Sequence, residues 1–215
     1  MMLAFILAVI FLLLFGVWNL LLLQAMGREK ARNWRRGLKS VEGFLLAPEV
    51  YYHPGHSWVM PEDEGTVRIG VDDFGRKLVD GIREVSLPEK GSLLRAGKAA
   101  VRLGCGSKEA DLVSPVDGVV TEINAHAVKG STVESDPYGK GWLFKARVRD
   151  TGYTQLPTGV TAAEWLKAEA GRLAGFFNKE VGMTAADGGE LIARPAAVLS
   201  DEQWKSLVES FFRTA

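Results

Sequence analysis

No charged side chain occurs in this sequence before Arg28, and from Leu3 to Leu23 the run LAFILAVIFLLLFGVWNLLLL is almost wholly apolar. About 20 such residues, rising about 1.5 Å each as a helix, reach across a hydrocarbon core roughly 30 Å thick. Directly behind the run, residues 28–39 hold Arg28, Lys30, Arg32, Arg35, Arg36 and Lys39 against Glu29, six basic side chains to one acidic, for a local charge of +5. A cleaved signal peptide carries its positive charge ahead of the apolar run and a small-residue cleavage site behind it, and neither is present. The pattern predicts a transmembrane signal anchor over residues 1–27. The positive-inside bias then predicts a single-pass protein of the inner, cytoplasmic membrane, with the remaining domain in the cytoplasm. Residues 3–23 are the expected contact with the lipid bilayer, and Trp34 an interfacial anchor. Asn19 has two readings, a hydrogen bond to a partner helix within the membrane or a place near the interface where it meets water. The basic block likewise reads as a topology signal or as a site for an anionic lipid.

Because 26 Lys+Arg balance 26 Asp+Glu, the chain outside that block sums to −5. A balanced charge argues against a nucleic-acid binder working through bulk electrostatics. The single cysteine excludes an internal disulfide framework, a cysteine-based zinc site and a cysteine-held iron–sulfur cluster. Residues 28–50 read as a basic juxtamembrane segment and linker, ending in SVEGFLLAPEV. From Tyr51 the pattern changes to short β-type runs broken by Gly, Pro and Asp: Ser57–Met60, Thr66–Val71, Arg83–Leu87, Ala99–Leu103, Gly118–Ile123 and Trp142–Val148. Between the second and third, DDFGRKLVD at 72–80 predicts a short helix opened by an acidic N-cap. Residues 151–215 form a helical extension. Ala162, Trp165, Leu166, Ala170, Leu173, Phe176 and Phe177 recur at helical spacing, and Ser200 caps a second helix with Trp204, Leu207, Val208, Phe211 and Phe212 on one face. Such stripes pack on the β domain or dock on another subunit.

Several motifs follow one another through residues 51–148: His56-Ser57-Trp58-Val59, Val67–Asp72 (VRIGVD), Asp80-Gly81-Ile82, Val85–Gly91 (VSLPEKG), the Ala96-Gly97 pair, Asp111–Gly118 (DLVSPVDG) and Ser135–Lys145 (SDPYGKGWLFK). In order and spacing they resemble the H-protein of the glycine cleavage system, a relative of the lipoyl domain. The resemblance implies a mostly β chain. Its residues 51–150 would form a lipoyl-domain-like β-barrel or sandwich of the H-protein type, flanked by the N-terminal transmembrane helix and the C-terminal amphipathic helices.

In that family a lysine in a hairpin turn, four residues before the Asp of the following motif, carries lipoate on its ε-amine, and the protein presents the swinging arm to several enzymes. Four residues before Asp111 this sequence has Ser107, in the turn Gly104-Cys105-Gly106-Ser107. The lysine comes one position later, as Lys108, which is the candidate cofactor-binding residue if lipoate is carried. Its other reading is a solvated lysine in a charged turn beside Glu109. Cys105 reads as an incidental thiol or as a redox-active one, although it has no CxxC partner. Of the histidines, His53 and His56 lack further ligands for a metal, and His56 matches a histidine that the family carries. No catalytic residue and no metal site are expected. The expected function is a non-enzymatic docking or structural subunit of a membrane-associated redox or respiratory complex, with protein partners, no nucleic acid and no cofactor. The alternative is a tethered carrier with lipoate on Lys108.

Overall fold

Apolar runs too short for helices, each bounded by a turn residue, become strands. The computed structural model describes residues 13–22, 37–63, 65–181 and 195–212, in two compact units that divide at Leu38. In the first unit residues 13–22 are helical (α1), and their large apolar side chains are exposed. Asn19 spends its amide inside this helix, donating to the carbonyl of Phe15 at 2.8 Å. No helix among the described residues is long and apolar enough to cross a membrane. That overturns the expected transmembrane anchor, and with it the single-pass placement in the cytoplasmic membrane. Residues 3–12, Leu23 and residues 28–36 of the basic block, Trp34 among them, lie outside the described residues.

The second unit opens with β1 (Lys39–Val41), β2 (Phe44–Leu46), β3 (Tyr51–Tyr52), β4 (Ser57–Pro61), β5 (Thr66–Val71) and the helix α2 (Asp73–Val79). It continues through β6 (Glu84–Ser86), β7 (Leu93–Leu94), β8 (Ala99–Cys105), β9 (Lys108–Val113), β10 (Gly118–Ile123), α3 (Ser131–Ser135) and β11 (Phe144–Val148). A 3-10 turn at Gly152–Gln155 leads into α4 (Gly159–Val181), and α5 (Pro195–Val198) and α6 (Asp201–Phe211) complete it. The strands form a six-stranded sheet in the order β3-β4-β5-β11-β10-β7, a three-stranded sheet β6-β8-β9 and the hairpin β1-β2. Every pairing is antiparallel.

Successive residues of a strand point to opposite faces of its sheet, and in β4 both faces are covered, with Trp58 buried on one and Val59 on the other. In β5, Val67, Ile69 and Val71 are buried, while Arg68 between them reaches Glu62. Trp58 of β4 is wholly buried, and its indole N–H donates to the Val71 carbonyl at 2.9 Å. The indole lies over Gly70, where an added Cβ would stand only 2.3 Å from the ring. The glycine in VRIGVD is therefore a seat for the tryptophan.

Asp72 caps α2 through its side chain, which accepts the Gly75 N–H at 2.7 Å. In α4 the buried positions Ala162, Leu166, Glu169, Leu173 and Phe177 recur at spacings of three and four, and the buried Glu169 is held by Arg172 at 2.6 Å. Trp204, Leu207 and Phe211 make the equivalent stripe on α6. α4 packs on β1, α5 on α2 and α6 on β9, so the C-terminal helices cover their own β domain. The stretch expected as a linker carries the β1-β2 hairpin, with Phe44 and Leu46 buried.

Candidate functional site

The β8-β9 hairpin is the one place where the sequence predicts chemistry. Its register runs from Ala99↔Val113 to Cys105↔Lys108, which leaves Gly106-Ser107 as a two-residue turn. Gly106 has φ +65, and Ser107 is not among the positive-φ residues, so the turn has the II′ pattern that calls for glycine at its first central position. Ser107 is thus the exposed apex. Its hydroxymethyl group has no amine to acylate.

Lys108 is the first residue of β9, half-buried, and its side chain turns away from the apex toward the C-terminal helices. Its ammonium donates to the carbonyl of Leu199 and stands 5.8 Å from the centroid of the Trp204 ring. The Trp204 indole N–H donates to the Glu109 carbonyl at 2.9 Å. Cys105, on the other arm of the turn, directs its sulfur to the Asp80 carbonyl at 3.0 Å. At the base of the hairpin Arg102 pairs across the strands with Asp111 at 2.8 Å, and Glu109 is 3.5 Å away. These carboxylates, Asp111 first, raise the Arg102 guanidinium further above its usual range.

The histidines do not join this site. His56 is wholly buried in the turn between β3 and β4, its Nδ1 3.0 Å from the Asp72 carboxylate and its ring stacked on Phe74 with centroids 4.3 Å apart. The Asp72 N–H donates to the His56 carbonyl at 2.9 Å, so the pair locks this turn to the start of α2. His53 accepts the Gly55 N–H on its Nδ1 at 3.0 Å. Among the described residues no group of three or more His, Cys, Asp or Glu side chains is placed to hold a metal ion.

The family model described as glycine cleavage H-protein matches residues 50–169, more than half of the chain. The chain belongs to the glycine cleavage H-protein family. The glycine cleavage system H protein of Mycobacterium avium is 37% identical over 129 residues, covering 59% of this chain and 94% of that protein. That of Thermus thermophilus is 33% identical over 108 residues, covering 50% and 84%. A crystal structure of a glycine cleavage system H protein from Mycobacterium marinum superposes with a TM-score of 0.49 at 25% identity, covering 58% of this chain and 98% of that one.

In this H-protein family member the motifs quoted from the sequence all fall within the matched region. The residues that engage Lys108 do not. Leu199 and Trp204 lie beyond residue 169, in the helical extension, and their link to the hairpin spans 91 and 95 residues of sequence. The signal that could have found them is the apolar stripe on α6, whose first member is Trp204.

Proposed function

We propose that this H-protein family member is a non-enzymatic docking subunit that works without a lipoyl arm. The observation that carries the reading is the apex of the hairpin: Ser107 stands where the resemblance calls for the acylated lysine, and an amide to lipoate needs an amine. The nearest amine, Lys108, is one residue along the strand and is spent on Leu199 and Trp204. The residues at the apex do not fit the group. What remains is an antiparallel scaffold with a paired hairpin, a capped helix and a buried core. Its partners are proteins, since the relatives are named for the glycine cleavage system, and the proposed setting is a redox assembly by analogy of fold.

The second reading is a carrier with lipoate on Lys108, favoured by family membership and by the position of this lysine beside the turn. Intact mass and peptide mapping of residues 103–111 separate the two. The protein is made in a host whose lipoylation machinery is active, with the Ser107→Lys variant alongside. We expect the native peptide unmodified. A lipoyl-sized increment on Lys108 would sink the arm-less reading and make the chain a carrier.

A further inference from the structure

The carbonyl at the end of a helix has no N–H of its own helix to accept from. α5 ends at Val198, and its following residue Leu199, whose N–H donates to the Pro195 carbonyl at 3.0 Å, presents such a carbonyl. It is fixed in direction on both sides. Behind it is the single turn of α5. Ahead is the capping box of α6, in which Ser200 accepts the Gln203 N–H at 3.2 Å and Gln203 accepts the Ser200 N–H at 3.0 Å. The group that satisfies the Leu199 carbonyl comes from the hairpin and is the ammonium of Lys108.

We infer that Lys108 is a clasp that holds the α5-α6 turn on the hairpin, so that the hairpin face is occupied in cis by the chain's own C-terminal helices. Three links join the two parts: Lys108 to the Leu199 carbonyl, Lys108 over Trp204, and Trp204 to the Glu109 carbonyl. The far end of α6 is anchored independently. Phe211 and Phe212 are buried against His56, and the Phe212 carbonyl stands 3.0 Å from where a Cβ on Gly55 would be. A cation is the right donor for this place, because it satisfies an end carbonyl and an aromatic face at once. A partner protein that reads the hairpin therefore meets a composite face, with Gly106-Ser107 on one side and the exposed Val198 of α5 on the other.

The inference shares one premise with the proposed function, that the Lys108 amine is unmodified in the cell. The test is amine labelling of the full native chain with sulfo-N-hydroxysuccinimidyl acetate, read lysine by lysine by peptide mass spectrometry. The exposed Lys98 and Lys129 serve as internal references. We expect Lys108 to label about tenfold more slowly than either, the factor that a charge-assisted hydrogen bond supplies. Hydrogen exchange gives the second readout. Lys108→Gln should speed exchange in residues 195–200, and Lys108→Arg, which keeps both the donor and the ring contact, should restore it. Labelling of Lys108 at the rate of Lys98, or identical exchange in the two variants and the native chain, would overturn the clasp. An unmodified Lys108 that labels freely removes the clasp and leaves the docking subunit standing, whereas a lipoylated one removes both.

Discussion

Single residues decide where this chain's side chains can go, and Gly70 shows it most directly, because the volume a side chain would need there is already filled by the Trp58 indole. Gly70→Ala puts a Cβ into that ring, and the indole cannot retreat without losing its bond to the Val71 carbonyl. We expect a loss of about 1–3 kcal/mol in urea unfolding, the usual range for overpacking a core. An unchanged midpoint would mean that the ring is not seated as described. Ser107 is legible at the same scale. Its place at the apex follows from ordered motifs on both sides, and the register of β8 with β9 puts it in the turn. The Lys108 contacts were not legible, since no local rule reports which carbonyl 91 residues away will meet an ammonium. From the sequence, His56 shows only its match to a histidine of the family. Its burial against Asp72 and Phe74 gives it a structural task.

Among elements, those with a clean period were legible. β5 and β10 fall on the residues expected, and α2 starts from its aspartate cap, because alternation and capping are local signals. β9 was missed. Its sequence KEADLV opens with two charged residues, and its apolar members Ala110, Leu112 and Val113 make too short a run to stand out; only pairing with β8 makes it a strand. The β1-β2 hairpin was hidden for a similar reason, since three-residue strands carry almost no periodicity. The start of α6 offers an element-scale test. Ser200→Ala removes the acceptor for the Gln203 N–H and half of the capping box. We expect a cost of about 1 kcal/mol, which lowers Tm by roughly 2–4 °C in a chain of this size. The Ser200→Thr variant should recover most of that in the same scan. If alanine is neutral, α6 is held by its buried face alone.

For the whole molecule, two buried phenols hold the segment that leads into β3, Tyr52 from close by in sequence and Tyr138 from 93 residues away. The Tyr52 hydroxyl accepts the Ala47 N–H at 2.7 Å and donates to the Ala47 carbonyl, while the Tyr138 hydroxyl donates to the Leu45 carbonyl at 2.8 Å and accepts the Asp73 N–H. Burial, reinforced by the charge of Asp72, raises both above the ordinary tyrosine value of 10.0. The folded state then keeps these protons at a pH where the unfolded chain has lost them, so stability is full below about pH 10 and falls as pH rises beyond it. The slope is about 1.4 kcal/mol per pH unit for each phenol. We expect absorbance at 295 nm to show two tyrosines ionising together with loss of the fold, and Tyr52→Phe to flatten the pH dependence; separate ionisation of Tyr52 in the native state would count against this. The mostly β character was legible at this scale too, whereas the expected transmembrane anchor was not borne out, since no helix among the described residues is long and apolar enough to cross a membrane. One feature of the C-terminal helices reaches beyond a single copy of the chain. β9 is the outer strand of its sheet, and an outer strand offers its backbone to any other strand that arrives. The Glu109 carbonyl is taken by Trp204 and α6 packs on β9, so a neighbour's strand meets a helix at that edge. Copies of this chain crowded together in a multi-protein assembly would therefore have to lift α6 before they could pair through β9.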